Sequence, residues 1–179
     1  RRERLDSSFL NTRLKGALAY DRIAGYFSSS ILEVAGENLD QIDETVRMVC
    51  NSQLDAMDVK TAQAAVGAMR KEWCATEPEK MGDRSRSRFQ KLYDYLKSGK
   101  LEVRVLPDTA FGLIHGKAGV ITLADGTKTA FMGSANETKS GWRLNYELIW
   151  EDDSPEAVQW VQEEFDALIR RAYRAGQDA

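Results

Sequence analysis

Apolar positions along this chain follow two periods. Leu5, Phe9, Leu10, Leu14 and Leu18 fall three or four apart, which predicts a short amphipathic helix over 4–17. Ile23-Ala24-Gly25-Tyr26-Phe27 is a strand-type run. Behind it Ser28–Ser30 offer N-cap hydroxyls to a helix carrying Ile31, Leu32, Val34, Ala35 and Leu39. Thr45–Cys50 is rich in β-formers, residues 58–75 are alanine-rich and helical, and Gly82-Asp83 breaks that pattern. Phe89, Leu92, Tyr93 and Leu96 sit at i, i+3, i+4 and i+7 of a further helix that Gly99 ends.

The texture then changes. Leu101–Leu106 reads as a strand stopped by Pro107-Asp108, and Leu113–Leu123 as a longer one. Ala124-Asp125-Gly126-Thr127 is a hairpin turn, Lys128–Gly133 the returning strand and Tyr146–Trp150 another. Ser154-Pro155 opens a last helix with Val158, Val161, Phe165, Leu168 and Ile169 on one side. Strands alternating with helices, followed by a strand cluster, predict an α/β domain: a mixed β-sheet flanked by helices on both faces.

A chain of 179 residues makes one domain, here 1–179, with 42% hydrophobic and 30% charged residues. It opens Arg1-Arg2-Glu3-Arg4 without an initiator Met or a signal peptide, which suggests a domain excised from a longer polypeptide. No apolar run has the length of a membrane span, so no membrane partner is expected. Cys50 and Cys74 lack CxxC spacing, which fits a reduced, cytoplasmic protein. With His115 the single histidine, a structural zinc site has too few ligands, and no metal or other cofactor is expected; carboxylate-bound magnesium stays open on these grounds. Net charge is −3, unevenly spread. Residues 151–179 carry eight acids against three bases, whereas 80–104 carry eight bases against three acids. Such a basic segment permits phosphate contact, and equally reads as a solvated helix face. Phosphate-loop, dinucleotide-loop and serine-hydrolase elbow motifs are missing from the chain.

The chemistry gathers in Ile114-His115-Gly116-Lys117, Gly133-Ser134-Ala135-Asn136-Glu137 and Asn145-Tyr146-Glu147. On a strand, His115 and Lys117 leave the same face, while Gly116 lets another backbone approach. The hairpin returns Ser134 and Asn136 alongside, and Glu147 lies on the following strand. An imidazole that attacks phosphorus, Lys and Asn donors on the phosphate oxygens, and a carboxylate that orients the imidazole form a kit for phosphoryl transfer.

His115-x-Lys117, Gly133-Ser134-x-Asn136 and the downstream Glu147 resemble the phospholipase D superfamily motif, in its single-motif nuclease form. Such domains occur in restriction enzymes and at the amino terminus of SNF2-type anti-phage helicases. The resemblance is firm over 101–151 and looser over 20–100. It implies metal-independent phosphodiester hydrolysis through a phosphohistidine. His115 would be nucleophile or general acid, Lys117, Ser134 and Asn136 would bind phosphate, and Glu147 would support the histidine. The expected partners are DNA and a helicase or translocase region. Where the fuller motif has Asp, this chain has Thr122. In-line attack also needs groups on both sides of the phosphorus, and one histidine cannot occupy both. Either another residue type supplies the acid, or two chains each supply His115; the expectation is a C₂ homodimer with one composite site. Two alternatives stand beside the nuclease: a non-catalytic DNA-docking or dimerisation module, and a phosphodiesterase for lipid head groups or small diesters. Trp142, Trp150 and Trp160 are expected in the core or at the dimer interface rather than stacked on bases.

Overall fold

A computed structural model describes residues 4–51, 54, 56–70, 83–107 and 114–175. A single six-stranded sheet organises them in the order β3-β2-β1-β4-β5-β6. The strands are β1 (Ala19–Ile23), β2 (Val46–Asn51), β3 (Leu101–Leu106), β4 (Ala118–Thr122), β5 (Lys128–Gly133) and β6 (Ile149–Asp152). β1, β2 and β3 run parallel, whereas β4, β5 and β6 continue from β1 as an antiparallel meander. The sheet is therefore mixed, as the alternation of elements predicts.

The helices are α1 (Asn11–Leu14), entered through a π-helical stretch (Asp6–Leu10), α2 (Leu32–Gln41), α3 (Ala56–Arg70), α4 (Asp83–Ser98) and α5 (Pro155–Ala175). Period-2 alternation divides the strands between two faces. On one face Tyr20, Met48, Ile121 and Phe131 pack with Leu10, Leu14, Leu39, Leu92 and Trp142. On the other, Ile23, Val49 and Leu106 pack beneath Phe165, Leu168 and Ile169 of α5. Helices thus cover both faces. Trp142 is core, as expected, with its ring 6.2 Å from Phe9 and nearly parallel to it. Trp150 and Trp160 are 69% and 55% exposed, so they are not core residues.

Several boundaries differ from the sequence expectation. The first strand is Ala19–Ile23 rather than 23–27, because Tyr20 and Arg22 supply the inward face and the chain leaves the sheet after Ile23. β4 begins at Ala118, not Leu113, and β6 at Ile149, not Tyr146, so His115, Lys117 and Glu147 all lie on loops. Part of the expected 58–75 helix, Gly82, Cys74 and Leu113 lie outside the described residues. Within the basic segment Arg88 pairs with Glu33, Lys91 with Asp40 and Arg104 with Glu102, three of its eight bases.

Among the described residues, one ion pair lies wholly inside. Arg22 Nε donates to Glu137 at 2.8 Å, and both side chains are buried. Tyr20 Oη and Trp142 Nε1 also donate to Glu137, each at 3.1 Å. Arg22 Nη2 donates to the Ala135 carbonyl at 2.6 Å, and the Phe131 and Trp142 rings face the guanidinium. Arg22 Nη1 alone of this network has no hydrogen-bond partner; the pair is held by the other bonds, and removing one partner strands the other's charge. Glu137→Gln is therefore expected to lower unfolding free energy by about 3–5 kcal/mol in urea titration.

Candidate active site

Four loop segments meet at one end of the sheet: 24–28 after β1, the end of β2, 114–117 before β4, and 134–138 after β5. Because β1 is parallel to β2 and antiparallel to β4, the carboxyl ends of β1 and β2 lie beside the amino end of β4. Ligands in open α/β sheets favour such a switch of strand direction.

Asn51 clamps this end. Its Nδ2 donates to the carbonyls of Gly25 (3.0 Å) and Ile114 (2.7 Å), and its Oδ1 accepts from Ile114 N at 2.7 Å. The residue before His115 is thus fixed to β2 and to the loop after β1. The 134–138 segment is tied to the same loop: Glu137 N donates to the Tyr26 carbonyl, and Ser28 N to the Glu137 carbonyl, each at 3.1 Å. Asn136 Oδ1 accepts from Tyr26 N at 3.0 Å, which leaves its amide NH₂ as the outward donor. Neither Asn136 nor Glu137 starts a helix.

Gly25 forms the floor between two candidate phosphate ligands. A Cβ there would lie 3.2 Å from Asn136 Oδ1 and 3.3 Å from Lys117 Nζ. Gly116, by contrast, faces open space, so the close approach expected at Gly116 occurs at Gly25. Gly133 makes room for the 145–148 loop, since a Cβ would sit 2.0 Å from the Leu148 carbonyl.

Lys117 Nζ folds back to donate to the His115 carbonyl at 2.7 Å. Desolvation, and then the Arg22 charge, lower the Lys117 pKa, against an opposing pull from Glu147. Lys117 and Glu147 therefore sense each other's charge. Ser134 Oγ donates to Glu147 and accepts from Leu148 N at 3.0 Å. Asn145 Nδ2 donates to the other Glu147 oxygen at 3.3 Å.

The His115 side chain takes no part in this hydrogen-bonded group and lines a different cavity. Its ring is exposed and makes no hydrogen bond among the described residues. It lines a cavity of about 250 Å³ with Ile23, Trp160, Glu164 and Leu168, on the α5 side. Asn136 and Glu147 line a separate cavity of about 290 Å³. Within one chain, then, Lys117, Ser134, Asn136 and Glu147 gather, and Glu147 holds Ser134 rather than the imidazole.

Thr122, at the position of the family Asp, pairs with Ala19 and Lys128 at the hairpin end of β4. At about 3.3 Å per residue it lies roughly 16 Å along the strand from Lys117. Its side chain lies too far along β4 to be a phosphate ligand. Burial pushes the Cys50 thiol up to about 12, which makes it a poor nucleophile. No cluster of three or more His, Cys, Asp or Glu side chains suited to a metal ion occurs among the described residues. Nor is any described helix long and apolar enough to cross a membrane.

A family model described as "Cardiolipin synthase, PLD-like domain" matches residues 12–169. The chain belongs to the PLD-like family. The PLD-like fold is also seen in NucT from Helicobacter pylori, at a TM-score of 0.50 and 15% identity over 93% of this chain and 88% of that one. A mutant of yeast tyrosyl-DNA phosphodiesterase aligns at a TM-score of 0.42 and 14% identity, covering 79% of this chain and 25% of that one. No curated protein sequence matches the chain.

Asn51, Arg22 and Glu137 are the members of this PLD-like site that sequence spacing misses, since none belongs to the H-x-K or G-S-x-N strings. Arg22, two residues from Tyr20 and so on the same inward face of β1, was the available signal. Asn51→Leu should cost about 1–3 kcal/mol, because it leaves the buried Ile114 N–H and C=O unpaired. Loss of hydrogen-exchange protection confined to Ile114 and its neighbours would check the clamp.

Proposed function

We propose that this PLD-like domain is a nuclease that hydrolyses DNA phosphodiesters through a phosphohistidine, without a metal. The observation that carries the reading is the convergence of Lys117 and Asn136 on Gly25, with the His115 ring exposed and the His115 carbonyl bonded to Lys117 Nζ. A phosphodiester over that floor meets an ammonium and an amide, and Ser134 is held close by through Glu147. A ring nitrogen of His115 attacks phosphorus and the bond to the leaving oxygen breaks. A proton from a general acid neutralises the departing alkoxide. Water then attacks the phosphohistidine, breaking P–N and releasing a phosphomonoester. DNA as the substrate is consistent with the names of the two structural neighbours, a Nuc protein and a DNA phosphodiesterase.

The general acid is assigned to His115 of a second copy, which makes the active unit a homodimer. Support comes from the surface. Tyr146, Leu148 and Trp150 are 74%, 65% and 69% exposed at alternate positions, leading from the site into β6. Trp150 is in register with Met132, which is also exposed, and Trp160 of α5 lines a cavity with both. β6 is an edge of the sheet. Unpaired edges and contiguous exposed apolar residues are templates for association, and a two-fold axis lets one patch meet its own copy. The resemblance to single-motif nucleases extends the reading to a module working beside a helicase or translocase in restriction or phage defence. The separation of His115 from Asn136 and Glu147 within one chain favours a second reading, a non-catalytic docking module.

Incubation with plasmid and single-stranded DNA in excess EDTA separates the two. The nuclease reading expects cleavage by the parent and none by His115→Ala. Cleavage that needs added Mg²⁺, or that is equal in the variant, would sink the mechanism. Sedimentation velocity tests the dimer: the parent should sediment as a dimer. Leu148→Glu combined with Trp150→Glu should give a folded monomer by circular dichroism that no longer cleaves. A monomeric parent with full activity would rule the composite site out.

A further inference from the structure

The cavity of about 290 Å³ beside the phosphate floor lies between the loop after β1 and the segment 136–147. Its walls include Ser28, Ser30, Thr138 and Ser140. Three of these hydroxyls are already in use as acceptors of backbone N–H groups. Ser28 Oγ accepts from Ser30 N (3.3 Å), Ser30 Oγ from Lys139 N (3.1 Å), and Thr138 Oγ1 from Gly141 N (2.9 Å). None of the three donates its own proton to any described residue. Elsewhere hydroxyls commonly do donate: Ser7, Thr45, Thr61 and Ser98 to carbonyls, and Thr129 to a carboxylate.

A hydroxyl carries one proton and two lone pairs. With a backbone N–H holding the oxygen from the protein side, the free O–H turns away from that donor, toward the cavity. Asn136 adds its outward NH₂, because Tyr26 N fixes the amide's other end. The cavity is therefore rich in neutral donors whose lone pairs are partly spent. Sugars and peptides bring donors of their own, and these would compete for the remaining lone pairs. A phosphodiester brings acceptors alone. Glu147 lies on the rim, where its two oxygens already accept from Ser134 and Asn145 and its charge faces Lys117.

We infer that this cavity is a second phosphate subsite, which holds a neighbouring, non-reacting phosphodiester of the strand being cut. The inference rests on the nuclease reading for its ligand and adds where the strand runs: from the Lys117–Asn136 floor, past Asn136, to the Ser28–Ser30–Thr138 wall. Hydroxyl and amide contacts to backbone phosphate fix register without reading bases, so the subsite sets position rather than sequence preference. Neutral donors also displace no counterions, unlike lysine or arginine.

The test uses the full chain carrying His115→Ala, which keeps the probe uncut, and a labelled single-stranded oligonucleotide followed by fluorescence anisotropy. One linkage at a time is replaced by a neutral methylphosphonate. A flanking position is expected at which neutralisation weakens binding about tenfold, the scale of one lost charge-assisted hydrogen bond or two neutral ones. Ser30→Asp and Thr138→Asp keep an acceptor for the backbone N–H but remove the proton. They should weaken binding and abolish the penalty at that position. Thr138→Ser should bind as the parent does. Thr138→Ala should weaken binding without changing the slope of log affinity against log salt. Equal tolerance of methylphosphonate at every position, or Asp variants that bind like the parent, would overturn the subsite. Hydrolysis of bis(p-nitrophenyl) phosphate by the chain with His115 intact reports the nuclease reading separately, because that small diester has no flanking phosphate. Activity there with no position effect would overturn the subsite alone, and no binding to any oligonucleotide would overturn both.

Discussion

The buried contact between Arg22 and Glu137 sets the geometry on which the site depends. Arg22 is paired within β1, between β2 and β4, and cannot move without the sheet. Glu137 lies in the loop after β5, two strands away in the sheet. Their contact, reinforced by Tyr20, Trp142 and the Ala135 carbonyl, pins a segment that would otherwise wander off the end of β5. Asn136 and Ser134 inherit their positions from that pin. Desolvating two charges is expensive, and it is offset here because hydrogen bonds and two aromatic faces surround the pair. A hydrophobic substitute would fill the volume but could not reach across β4 to fix a loop.

The same pair acts on chemistry. Glu137 offsets much of the Arg22 charge, yet enough reaches Lys117 to lower its pKa alongside desolvation. Partial burial disfavours the charged ammonium, and Glu147 pulls in the opposite direction.

Sequence periodicity disclosed the scaffold more readily than the site. α5 and α4 were legible because their apolar residues repeat at helical spacing, and the β4–β5 hairpin because Asp125 and Gly126 suit its turn; Asp125 accepts from Thr127 N and Gly126 adopts φ +84°. The mixed sheet followed from element order. What periodicity could not disclose is where a strand stops. Residues 114–117 alternate like a strand but are held at Ile114 by the Asn51 side chain, and Leu148 N is held by Ser134 Oγ in place of a backbone acceptor. Side chains substituting for ladder hydrogen bonds leave no period in the sequence. The H-x-K, G-S-x-N and N-x-E strings marked the right neighbourhood because each motif spans a loop at the same end of the sheet. They did not show that one chain separates His115 from the others.

That separation bears on how attack and departure are arranged. Groups acting on opposite sides of a phosphorus must approach from opposite directions, and a single concave pocket in a thin sheet edge offers one. His115 opens toward α5 and Trp160, whereas Asn136 and Glu147 open toward the loop after β1. Lys117 lies between these openings, attached to His115 through its backbone and facing Asn136 across Gly25. In the proposed reading a phosphate on Lys117 is reached by this chain's imidazole, and the exposed stretch of Tyr146, Leu148 and Trp150 lies on the imidazole's side, since Trp150 shares a cavity with Trp160 and Trp160 also lines that of His115. An apolar surface that borders a polar site excludes water when covered, and the electrostatic interactions beneath it strengthen as it does so. In the proposed dimer, covering this patch and bringing a second His115 to the site would be one physical event, which would give the exposed residues of 146–150 a role that packing within a single chain does not supply.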